Sequence, residues 1–88
     1  MIVYEGGNGA SINDAVIIRG ACNHIEGVAE EYRYISNIYG KINVEWGLKA
    51  QSLIIDKENQ YDVMEIVIKD NSTKKIYFNI SDFFSRLL

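Results

Sequence analysis

From Val44 to Ile80 hydrophobic residues recur at every second position in three runs, and this period constrains the fold more than any other feature of the chain. Period-two alternation sends successive side chains to opposite faces of a strand. "VEWGLKAQSLII" (44–55), "YDVMEIVIK" (61–69) and "KKIYFNI" (74–80) therefore read as strands, and "DKENQ" and "DNST" between them as polar turns. Turns this short join antiparallel neighbours, so the prediction is a three-strand meander.

Ahead of the meander the period is helical. Asn23 is a suitable N-cap, and Glu26 stands three residues later, where its carboxylate can bond back to the cap and face the positive end of the helix dipole. Ile25, Val28, Ala29, Tyr32, Ile35 and Tyr39 follow at three- and four-residue steps, with Glu30, Glu31, Arg33 and Asn37 expected on the opposite side. Gly40 suits the left-handed residue that ends a helix. Gly27 is the weak point, at about 1 kcal/mol relative to alanine. The helix should run from Asn23 to Tyr39.

Upstream, "AVIIRGA" (15–21) reads as a buried strand, and Ile2 to Tyr4 as a short apolar run ahead of a Gly- and Asn-rich turn. Asn8-Gly9 is a type I′ hairpin signal if strands flank it. Downstream, "DFFSRLL" (82–88) is expected to form a short C-terminal helical turn, stable only if it docks. The expected fold is α+β, one domain over residues 1–88. One long helix packs on an antiparallel sheet of three to four strands, in the order strand or strands, helix, meander, short helix.

Composition narrows the function classes. The 88 residues carry a net charge of -3 and a pI near 5.0, with nine Lys and Arg scattered among twelve Asp and Glu. Nothing here draws the chain to nucleic acid or to an anionic membrane. Neither partner is expected. A single cysteine closes no intrachain disulfide, which favours a reducing compartment. The N-terminus lacks a signal-peptide pattern, and no apolar stretch approaches the roughly 20 residues that span a bilayer. The expected location is cytoplasmic.

Cys22, His24 and Glu26 crowd the start of the helix. A helix N-terminus can activate a thiol and an imidazole can serve as its base, which makes Cys22 and His24 the weak catalytic candidates. The plainer account has Glu26 occupied as the capping acid, Cys22 as a small apolar side chain and His24 turned to solvent. No metal site is expected, because these residues fall short of the four ligands of a structural zinc centre. No cofactor is expected either. "GGNGAS" (6–11) lacks the Lys-Ser/Thr ending of a P-loop, and Ile12 stands where a dinucleotide fingerprint needs its third glycine. Tyr32 and Tyr39 are expected in the core with a polar tip, and Tyr34 as an exposed contact residue. Glu30 and Glu31 are neighbours pointing different ways, not a converging acid/base pair.

In element order the helix and three antiparallel strands with a following helix resemble double-stranded-RNA-binding domains. A helix wrapped by an antiparallel sheet likewise resembles cystatin-like inhibitors. The chain departs from the first in its acidic balance and short last helix. It departs from the second because "QSLII" (51–55) does not match the glutamine-valine-glycine hairpin. Function does not follow from such likenesses.

The two faces of the meander supply the functional expectation. One collects Trp46, Leu48, Ala50, Ile54, Met64, Ile66, Ile68, Ile76, Phe78 and Ile80, and should lie under the helix. The other carries Leu53, Ile55, Tyr61, Val63, Val67 and Tyr77, too apolar for a solvated face. An apolar centre with a charged border has the composition of an interface. The sequence thus points to a small non-enzymatic protein-interaction module, binding itself as a homodimer through this outer face or binding another protein. In the competing account the N-terminal segment, or Phe83, Phe84, Leu87 and Leu88, folds over the face. The alternative function is a minor enzyme or small-ligand binder using Cys22 and His24.

Overall fold

The computed structural model describes residues 1–85. Six elements follow in order: β1 (Val3–Gly6), β2 (Val16–Arg19), α1 (His24–Tyr39), β3 (Trp46–Asp56), β4 (Asn59–Ile68) and β5 (Thr73–Asn79). The strands form one five-stranded mixed sheet in the order β1-β2-β5-β4-β3. The meander is present, with β3 antiparallel to β4 and β4 antiparallel to β5. The sheet is larger than expected, because β1 pairs antiparallel with β2 and β2 joins β5 in parallel through Val16↔Phe78 and Ile17↔Asn79. The mixed sheet therefore replaces the expected antiparallel one.

Local chemistry sets the turns. Lys57 and Asn71 take positive φ in the β3–β4 and β4–β5 connections. Asp70 Oδ1 accepts from the backbone N–H of Ser72 at 2.9 Å and so fixes the second turn. Asn8-Gly9 is not the turn between β1 and β2. The connection is longer: Gly9 N–H donates to Asp14 O, while Gly9 O accepts from the Tyr77 N–H of β5.

The core lies between α1 and the sheet, built from Val16, Ile18, Ile35, Met64, Ile66 and Phe78. Trp46 closes one end; its Nε1 donates to Gly40 O at 2.9 Å, and its ring lies against Tyr32. Phe83 closes the other end, wholly buried, its ring edge-on to His24. A Cβ on Gly27 would overlap the Phe83 ring, which accounts for a glycine in the first helical turn.

Three expectations are corrected. Residues 81–85 form turns, with Phe83 and Phe84 N–H both donating to Ile80 O, and not a helix. So short a segment gains too few helical bonds to repay nucleation, and the core claims Phe83 directly. The rest of that expected helix, residues 86–88, lies outside the described residues. Second, α1 is rotated about its axis. Gly27, Glu30, Glu31 and Ile35 are buried, while Ile25 is 62% exposed and Ala29 and Ile38 also face solvent. The close fit of Gly27 on Phe83 sets that rotation. Third, Tyr34 is a half-buried packing residue, edge-on to both Tyr4 and Phe78.

Candidate functional site

At the start of α1 the structure builds a cap. Asn23 Oδ1 accepts from Glu26 N–H at 2.9 Å, and Glu26 Oε1 accepts from Cys22 N–H at 2.8 Å, one residue before the cap itself. Cys22 is exposed. The imidazole of His24 is half-buried against Phe83, and among the described residues no hydrogen bond joins it to the thiol. Two of the trio thus have local structural roles, Glu26 in the cap with Asn23, and His24 in packing and not turned to solvent. The Cys22 side chain, by contrast, is exposed and not packed as a small apolar group. Among the described residues no group of three or more His, Cys, Asp and Glu side chains is placed to hold a metal ion.

The sheet faces are decided by one irregularity. The β3–β4 register shifts between Leu48 and Ala50, so Lys49 is a bulged residue. Beyond it every side chain of β3 changes face. Ala50 and Ile54, expected under the helix, lie opposite Glu65 and Tyr61 on the outer face. Leu53 and Ile55, expected on the outer face, lie opposite Asp62 and Gln60 on the helix side. Of the six sequence-derived interface residues, Tyr61, Val63, Val67 and Tyr77 share the outer face, with Val63 directly across from Tyr77. Ile54 joins them. Ser52, Ile54, Val63, Glu65, Lys75 and Tyr77 border a shallow groove of about 160 Å³ there.

Among the described residues neither β1 nor Phe83 and Phe84 lies over this face, on which Tyr61 and Val63 are nonetheless buried, each 7% exposed. β1 extends the sheet sideways through β2. Phe83 belongs to the core under the helix, and Phe84 packs against that core. Leu87 and Leu88 lie outside the described residues.

Leu53 and Ile55 gain no cover on the helix side either. The helix runs from Phe83 at its first turn to Trp46 at its end and leaves this corner of the sheet open. Leu53 is 50% and Ile55 63% exposed. They lie on β3, the last strand in the sheet order, whose outer edge has no neighbouring strand among the described residues. Eleven residues long, β3 presents a row of backbone donors and acceptors beside an apolar strip.

A second feature escaped the sequence pattern. Glu31 is wholly buried on the helix line formed with Gly27 and Ile35, and neither carboxyl oxygen has a hydrogen-bond partner when ionised. It faces the buried Asp62 of β4, whose Oδ2 also accepts from Gln51 Nε2 at 3.3 Å. Burial first, then the facing Asp62, pushes the Glu31 carboxyl up to about 10. At neutral pH it is a carboxylic acid whose O–H can donate to Asp62. Glu30, also buried, turns the other way: it accepts from Tyr4 Oη at 2.6 Å and pairs with Arg33 at 3.0 Å. A buried glutamate in a helix gives no sequence signal unless the helix rotation is known. Here the only hint was the glycine four residues earlier.

No family model matches the chain, and no curated protein or solved structure matches it. Among the described residues no helix is long and apolar enough to cross a membrane. What the fold defines is a small α+β domain with one helix on a five-stranded mixed sheet.

Proposed function

We propose that this chain is a small, non-enzymatic protein-interaction module whose contact surface is the free edge of β3, continued by the outer sheet face beside it. The observation that carries this is the edge itself. Edge strands are ordinarily blunted by lysine, proline, bulges or a covering segment. Here the sequence has no proline, and the bulge and its Lys49 fall in the first half of β3. Beyond them Ala50–Ile55 carries no charge, with Leu53 and Ile55 standing out to one side and Ile54 to the other. A partner strand added here gains main-chain hydrogen bonds from the edge and side-chain contacts from both faces. The half-buried Val67 and Tyr77 supply the adjoining outer surface, bordered by Glu65 and Lys75, with Tyr61 and Val63 buried among them. The alternative, a thiol chemistry of Cys22 and His24, has no such support, since the imidazole lies against Phe83 and the glutamate serves the cap.

The test compares the tagged chain with a Leu53→Lys, Ile55→Lys variant. Both positions are exposed, so circular dichroism and thermal unfolding should stay close to the parent. Proteins bound by the parent, itself included, should be lost from the variant. Retention of the same partners by a folded variant rules out β3 as the contact strand.

A further inference from the structure

We infer that the partner seated on β3 is a second copy of this chain, paired antiparallel β3 to β3 about a two-fold axis at Ile54, which fuses two five-stranded sheets into one. The inference rests on the proposed role of β3 as a contact strand and narrows its partner. Its grounds are the self-complementarity of one stretch of sequence.

An antiparallel pair of identical strands is related by a two-fold axis normal to the sheet, so helix-side residues stand opposite helix-side residues. With the axis at Ile54, Leu53 faces Ile55 of the second copy and Ile55 faces its Leu53, a reciprocal apolar quartet built from the residues the helix leaves bare. On the outer face Ile54 meets its own copy, and Ser52 stands opposite Asp56, a hydroxyl donor against a carboxylate. Within the paired stretch from Ser52 to Asp56 no like charges meet.

Neighbouring registers of the same symmetry lose this match. Moving the axis to Leu53 sets Ile55 against Gln51 and Ile54 against Ser52. Moving it to Ile55 sets Ile54 against Asp56 and leaves Leu53 level with the β3–β4 turn, without a strand partner. A polar or charged residue directly opposite an apolar one disfavours both. The bulge at Lys49 lies outside the favoured window, so the paired stretch from Ser52 to Asp56 is regular strand on each copy. The opposite edge of the sheet offers no comparable surface, because β1 has only four residues.

Sedimentation of the purified chain and disulfide trapping in a Cys22→Ser background test this together. The parent should sediment at twice its 10.0 kDa mass at high micromolar concentration, and Leu53→Lys should weaken self-association at least tenfold. Ile54→Cys should cross-link to itself on mild oxidation, because residues directly opposite fall within disulfide reach. Leu53→Cys alone should link poorly, yet link efficiently when mixed with Ile55→Cys. A parent that stays monomeric at millimolar concentration overturns the inference. So does a dimer in which Ile54→Cys stays unlinked. If the parent is monomeric while the Leu53→Lys, Ile55→Lys variant loses other bound proteins, the second copy is wrong and the interaction module stands. If that variant keeps them, both fall.

Discussion

Two residues on one line of α1, Gly27 and Glu31, are placed against expectation, and each makes a testable demand. Glycine in a helix costs about 1 kcal/mol relative to alanine, so propensity alone favours Gly27→Ala. The Phe83 ring occupies the space a methyl group needs. Gly27→Ala should therefore destabilise the chain by about 1–3 kcal/mol in urea unfolding, the range for overpacking a core. A stabilised variant would mean that Phe83 moves aside freely. Glu31 makes a demand in pH. Its carboxyl is pushed up to about 10 in the folded chain, whereas an unfolded glutamate titrates near about 4.3. The folded chain holds a proton that the unfolded chain releases, so the stability linked to it is whole below about pH 4 and declines as pH rises toward 10. Between pH 5 and pH 8 the parent should lose about 1–3 kcal/mol, less than the limiting slope of about 1.4 kcal/mol per pH unit allows. Glu31→Gln keeps a neutral donor toward Asp62 and should flatten that slope. Equal slopes in parent and variant would show that Glu31 does not hold the proton.

At the scale of elements, periodicity exposed the strands and the helix but not their rotation or full pairing. Asn23, Glu26 and Gly40 bracketed the helix, because caps act within a few residues and are written locally. Which side of the helix meets the sheet depends on Phe83, fifty-odd positions downstream, so the apolar stripe from Ile25 to Tyr39 pointed at the wrong centre. The meander was legible for the same local reason. The parallel pairing of β2 with β5 was not, since no turn connects them and Val16↔Phe78 is a long-range choice. Of the candidate interface, Tyr61, Val63, Val67 and Tyr77 kept their common face, because β4 and β5 pair without a register shift. Leu53 and Ile55 did not, because a bulged Lys49 changes the parity of everything after it and nothing in "GLKAQ" announces a bulge. That same bulge leaves the apolar pair bare at an edge.

For the whole molecule, stability should be graded across the sheet from β4 outward, and this gives the last prediction. β4 has a strand on each side, and Met64 and Ile66 lie wholly within the core. β1 has β2 alone beside it, and all four of its residues are exposed. The ion pair between Arg19 and Glu5 at 2.6 Å sits on half-exposed side chains, where solvent and salt screen it. What ties β1 down is Tyr4, whose hydroxyl donates to Glu30 at 2.6 Å and whose ring lies edge-on to Tyr34 at 5.3 Å. Amide hydrogen exchange should therefore separate the strands. Amides of β4 should exchange only through global unfolding and respond steeply to dilute denaturant. Those of β1 should exchange by local opening and respond little. Tyr4→Phe removes one hydrogen bond to a charged acceptor, worth about 1.5 kcal/mol, and should speed β1 exchange about tenfold while leaving Met64 and Ile66 much less affected. If the β1 and β4 amides exchange at one rate and shift together in the variant, the sheet opens as a single unit and Tyr4 is no separate latch.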